Sequence, residues 1–207
     1  MPIVLLILIL LPFTVMADDA ASLQQEVEQL KTLEASFTQR QISGSGQLQR
    51  ESSGELALKR PGGLYWHYQK PHEQTLIAED DVLWVYEPDL MQATRSRLSA
   101  NQGAPIAILL DEQPIIELFT VRKVSRNEQS LRWFELTPKE AQGDFQSVLL
   151  GLDDSGLKEM IFVDQLGHRT EVVLSERRFN HSLDATRFAF EPPAGVDVVE
   201  GQSPAQP

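Results

Sequence analysis

The 207-residue chain contains no cysteine. That excludes disulfide staples, thiolate nucleophiles and Cys-ligated zinc, and leaves stability to a hydrophobic core that a chain of this length can build. It also excludes the lipidated N-terminal cysteine by which bacterial lipoproteins attach to membranes. Basic residues are few: 18 Lys and Arg stand against 30 Asp and Glu, for a net charge of −12. Such a chain repels a phosphate backbone before any base can stack, so nucleic acid is not expected as a partner. The four histidines, His67, His72, His168 and His181, fall at no helical i, i+4 step and in no zinc-type spacing. No Gly-x-Ser-x-Gly elbow, phosphate loop or dinucleotide fingerprint occurs. A carboxylate dyad among Asp80, Asp81 and Glu140 is neither supported nor excluded. No metal, cofactor or catalytic residue is expected.

One long apolar run is present, "MPIVLLILILLPFTVMA" at residues 1–17. Its core of about ten to fifteen residues is short for a spanning helix and suits a signal peptide, although no Lys or Arg precedes it. The expectation is export, cleavage after Ala17 with Val15 and Ala17 as the small residues, and a mature chain from Asp18. An uncleaved anchor helix is the alternative. One domain is expected over 18–200, and a disordered tail over 201–207, "GQSPAQP".

Leu23, Val27, Leu30, Leu33 and Phe37 recur at three- and four-residue steps and predict an amphipathic helix over 18–41, stopped by "SGSG" at 43–46. Short β-type runs follow. "GQLQRESSGELALKR" reads as a hairpin turning at Ser52–Gly54, and "LYWHYQ", "QTLIAE", "VLWVYE" and "MQATRSRL" as strands. "APIAILLDE" at 104–112 reads as a short, nearly all-apolar helix, either an ordinary core helix or a cover over something apolar. Five more strand-like runs follow, with turns at Arg126–Gln129, Asp153–Gly156 and Gln165–Gly167, and a short helical piece near Leu183–Thr186. Strands so close together join antiparallel. A sheet of about eleven strands curls or closes and needs its face covered, giving a mainly β fold with some α: an incomplete antiparallel barrel with helices over its mouth.

Within the strands, Leu64, Trp66 and Tyr68 are set to share one face, as are Val82, Trp84 and Tyr86. Tyrosine and tryptophan carry polar tips that favour a wet boundary, so these residues either fill a core or line a ligand cavity.

Five segments in order, "DDAASLQQEVEQLKTLEASFTQ", "GELALKRPGGLYWHYQKP", "LWVYEPDLMQAT", "ELTPKEAQGDFQSVLLG" and "FAFEPPAGVDVV", resemble the periplasmic lipoprotein carriers of Gram-negative bacteria, the LolA family. The resemblance spans essentially the whole chain after residue 17. It implies a half-open barrel with a helical lid over a hydrophobic cavity, working as a monomer in the periplasm without enzymatic activity. It implies as partners the acyl chains of outer-membrane lipoproteins, an inner-membrane lipoprotein-releasing ABC transporter and an outer-membrane lipoprotein receptor. It assigns Arg60 of "KRP" to bonds with the lid in the closed state. Leu64 stands where the family usually has an aromatic. The implied lipid-binding candidates are Leu64, Trp66, Trp84 and Tyr86 on the strands and Ile106, Ile108, Leu109 and Leu110 in the lid. Two other classes stay open: a lipid-sensing regulatory module on a related half-barrel, which would carry a further domain, and a periplasmic hydrolase.

Overall fold

Thr32–Ile42 (β1) has strand partners on both sides, so the backbone polar groups along it find a ladder and neither edge meets water. In the computed structural model, which describes residues 16–79, 82–97, 110, 113–126, 130–140 and 145–201, β1 is the middle of a twelve-stranded sheet. One arm grows from β1 through Leu48–Lys59 (β2), Gly63–Lys70 (β3), Gln74–Glu79 (β4), Val82–Glu87 (β5) and Gln92–Arg97 (β6). The other arm holds Phe119–Val124 (β7), Arg132–Pro138 (β8), Phe145–Asp153 (β9), Gly156–Asp164 (β10) and Arg169–Phe179 (β11), and joins the first arm where β11 pairs with β1. The edges are not paired to each other, so the barrel is open as expected.

Three expectations are corrected. The helix expected over 18–41 is two elements: helix Met16–Gln29 (α1) and strand β1. Leu33 and Phe37 continue the helical spacing of Leu23, Val27 and Leu30, but they also alternate with Ala35 and Gln39. All four of those strand residues are buried at 0–7% exposure, and two flanking strands outweigh one amphipathic turn. "SGSG" is therefore the β1–β2 turn, closed by Ser43 N–H to the Gln47 carbonyl at 2.9 Å. The hairpin expected at Ser52–Gly54 is one continuous strand, β2. There a Cβ on Gly54 would lie 1.9 Å from the His67 carbonyl oxygen, so glycine is required for β2 to approach β3 and does not mark a turn. Finally, the sheet is not a single antiparallel meander. A twelfth strand, Asp197–Glu200 (β12), pairs parallel to β6.

The expected strands 74–79 and 82–87 match β4 and β5, and the turns at Asp153–Gly156 and Gln165–Gly167 connect β9 to β10 and β10 to β11. The segments at 1–15 and 202–207, the expected turn at Arg126–Gln129 beyond Arg126, and all of 104–112 except Leu110 lie outside the described residues. Among the described residues no helix is long and apolar enough to cross a membrane.

Two ion-pair clusters tie distant parts of the chain together. Glu34 of β1 accepts from Arg178, Arg187 and His181, and the Arg187 guanidinium above all holds its carboxyl below the usual range. Asp153 takes a two-pronged contact from Arg177 at 2.5 and 3.1 Å and is likewise lowered, chiefly by Arg177. A carboxylate whose folded pKa lies below its unfolded value, about 4.3 for Glu and 3.9 for Asp, contributes stability that is present above that value. The contribution is lost as pH falls through the folded pKa. Melting temperature should therefore hold from pH 7 to 5 and drop below about pH 4, and the double variant Glu34→Gln, Asp153→Asn should show a shallower drop. An unchanged acid profile in the variant would show that these two carboxylates do not set the acid limit of stability.

Candidate functional site

Cross-strand register builds the inner face row by row. Leu33, Leu58, Leu64, Ala78 and Leu83 lie side by side across β1–β5, each at most 4% exposed. The next row is Ala35, Leu56, Trp66, Leu76 and Val85. Phe37 packs its ring 4.6 Å from that of Trp66 and edge-on to Tyr68 at 5.3 Å. The other arm continues the apolar surface through Phe134, Leu136, Val148, Leu150, Met160 and Phe162.

Over this surface lies α1. Leu23 and Val27 on one stripe of α1, and Leu30 just past its end, belong to the same buried cluster as both arms of the sheet. Leu110 and Ile115, the latter on the single-turn helix Ile115–Leu118 (α2), join it as well. Sheet and helices thus share one apolar interior, and exposing either half alone would wet both.

Arg60 closes the junction. It ends the run after β2, its main-chain N–H donates to the Lys31 carbonyl at 2.8 Å, and its Nη1 donates to the Val27 carbonyl at 2.6 Å. Val27 is in the last turn of α1, where carbonyls lack a full set of helical partners and the helix dipole favours a cation. A second tie sits one residue earlier: Arg132 of β8 forks onto the Glu26 carboxylate, and its second nitrogen lies 3.1 Å from that group. The Glu26 hydrogen bond raises the Arg132 pKa further above its already high value. Asn180, in the left-handed region at φ 53°, caps the α1–β1 joint by accepting from Lys31 N–H at 2.8 Å.

The sequence-derived candidates divide. Arg60, Leu64 and Trp66 meet at the inner face and its lid, and Leu110 is buried in the same cluster. Ile106, Ile108 and Leu109 lie outside the described residues. Trp84 and Tyr86 do not join the interior. They share a face with Ile77 and Thr75, opposite Leu83 and Val85, and each ring lies tilted with its centroid 5.4 Å from that of Phe190 in the C-terminal segment. Both alternate sets of "VLWVYE" are apolar, and a segment far along the chain decides which one faces outward. Sequence reasoning missed Glu26, Arg132, Phe37 and Asn180, whose partners are distant in the chain and reach them only through the assembled fold. The Leu33–Ala35–Phe37 alternation was the available signal.

Three of the histidines serve local structure. His67 Nδ1 is 3.0 Å from the Thr75 hydroxyl, His168 Nδ1 is 2.9 Å from Asp164, and His181 Nε2 is 3.1 Å from Glu34. The site is thus a continuous apolar surface covered by α1, with Arg60 and Arg132 bonded near the end of that helix.

The family description "Outer membrane lipoprotein carrier protein LolA" matches residues 28–191 of the chain. An outer-membrane lipoprotein carrier protein of Methylococcus capsulatus is 36% identical over 179 residues, covering 86% of each chain. Its counterpart from Chromobacterium violaceum is 36% identical over 186 residues, covering 89% of each. Among solved structures, an uncharacterized conserved protein from Thermus thermophilus has a TM-score of 0.54 at 12% identity, covering 87% of this chain and 99% of that one, a likeness of fold alone. With matches of this extent, the chain belongs to the LolA family of outer membrane lipoprotein carrier proteins.

Proposed function

We propose that the protein is a periplasmic carrier that takes acylated lipoproteins from an inner-membrane ABC transporter and delivers them to an outer-membrane receptor. It would be exported by residues 1–17 and would work without catalysis. The observation that supports this most is the apolar interior shared by the sheet and α1, with Arg60 bonded to the Val27 carbonyl at their junction. Acyl chains that replace α1 against Leu64 and Trp66 find the surface they need.

Energetics constrain the route. Burial is worth about 0.8 kcal/mol per CH₂, so three long acyl chains fully withdrawn from water would gain more than about 30 kcal/mol. That exceeds the ceiling of about 18–21 kcal/mol for non-covalent affinity, so cargo bound to that extent could not leave into water. The lid lowers the net figure, because opening it exposes apolar surface and breaks the Arg60 and Glu26 ties. Cargo then moves by direct contact, toward whichever partner holds it slightly better.

The test begins with inner-membrane vesicles carrying the transporter and a labelled acylated lipoprotein. Label should enter the soluble fraction only when ATP and the protein from Asp18 onward are both added. Label that stays with the vesicles would count against the reading.

A further inference from the structure

Followed toward the far ends of β1, β2 and β3, the inner face changes character. The first two rows are hydrocarbon and tryptophan. Next comes the row of Phe37, Gly54, Tyr68 and Gln74, followed by the pairs Gln39–Ser52 and Gln41–Arg50. The change falls at the same level on adjacent strands, so it is a property of the assembled face. Gln39 and Ser52 are 7% and 6% exposed, two of only four buried polar residues among those described. Burying such groups has a cost unless they find hydrogen bonds. Part of that need is met by the Tyr68 hydroxyl, which donates to Gln39 Oε1 at 3.0 Å in surroundings that raise its pKa by desolvation.

At this level a cleft of about 420 Å³ opens, with Gln39, Ser52, Tyr68 and Gln74 among its walls. Its size falls in the range of small-ligand sites. Charges at the rim are mixed: Arg50 and Lys70 face Glu73, Glu87 and Asp89. Two cations among three carboxylates make no positive field for a phosphate. Side-chain amides and hydroxyls at the wall suit neutral carbonyl groups.

We infer that this cleft seats the polar head of the cargo, meaning the ester and amide carbonyls of the acylated cysteine and the first peptide residues. The acyl chains then run along the apolar rows toward Arg60 and α1. This inference rests on the carrier reading above and adds the direction in which cargo lies. The lid covers the tails while the folded part of the lipoprotein projects from the opposite end. The Gln39 amide N–H, held in place by Tyr68, and the Ser52 hydroxyl then discriminate acyl carbonyls from bare hydrocarbon.

The experiment uses the unmutated protein from Asp18 onward and two synthetic triacylated cysteine peptides. One carries a diazirine at an acyl terminus and the other carries it on the residue after the cysteine. After irradiation, the head probe should label residues 39–41, 50–52 and 68–74, and the tail probe the rows of Leu64 and Trp66. The reverse pattern overturns the inference while leaving the carrier reading intact. Absence of any soluble complex with either peptide overturns both. As a second measurement, Gln39→Leu should weaken binding of the triacylated peptide by about fivefold, the effect of one net hydrogen bond. The same variant should bind N-phenyl-1-naphthylamine, an apolar dye without carbonyls, as the wild type does. Equal losses for both ligands would overturn the head-site assignment.

Discussion

Replacing Arg60 with leucine should leave the protein folded and able to load cargo, but should slow hand-over to the receptor by about 5- to 150-fold. Leucine keeps an apolar stem and loses the guanidinium that donates to the Val27 carbonyl at 2.6 Å. Such a hydrogen bond contributes about 1–3 kcal/mol, and here it favours the closed form. Without it the lid opens at lower cost, more of the acyl burial energy appears as net affinity, and release becomes the slow step. The measurement is transfer from purified carrier to receptor, wild type against Arg60→Leu, with loading assayed in parallel. Poor loading with normal release would place Arg60 in the cargo surface and end its role as a latch. Arg60→Lys should behave between the two, since an ammonium reaches as a point charge but lacks the planar fork.

Phe37→Ala should lower stability by about 3–5 kcal/mol, which for a domain of this size is roughly 6–20 °C in melting temperature. Phe37 is 2% exposed at the centre of the sheet, with Trp66 at 4.6 Å and Tyr68 at 5.3 Å. Removing its ring takes away both aromatic contacts and leaves a cavity that strands paired on either side cannot collapse to fill. Phe37→Leu retains most of the volume and should cost less than about 1.5 kcal/mol. Thermal melts of the two variants separate the explanations. Equal losses would mean that β1 is sensitive to any change at this position, and no loss in either would mean that the ring is not packed as described.

Legibility in the sequence follows the locality of the physical cause. β4 and β5 match their expected limits because turn residues punctuate them on both sides, and local turn chemistry is written in adjacent letters. Arg60 is legible only through the resemblance of "KRP" and its neighbours to a family. Nothing local indicates that its guanidinium meets a helix 33 positions earlier. The α1–β1 boundary is hidden because Leu23, Val27, Leu30, Leu33 and Phe37 fit a helix. The small Ala35 and polar Gln39 make the competing alternation a weak signal, and burial of all four residues makes it plain. The outward turn of Trp84 and Tyr86 is hidden for a different reason. Both faces of β5 are apolar, and Phe190 reaches one of them from the far end of the chain.

The most direct measurement is of the soluble complex itself: the mass and composition of what the protein carries away from vesicles loaded with a triacylated lipoprotein. One carrier and one lipoprotein per particle are expected, stable in water without detergent, with no particle when the lipoprotein lacks its acyl chains. A complex that forms equally well with unacylated lipoprotein, or lipoprotein found only in detergent or membrane fractions, would contradict the carrier reading.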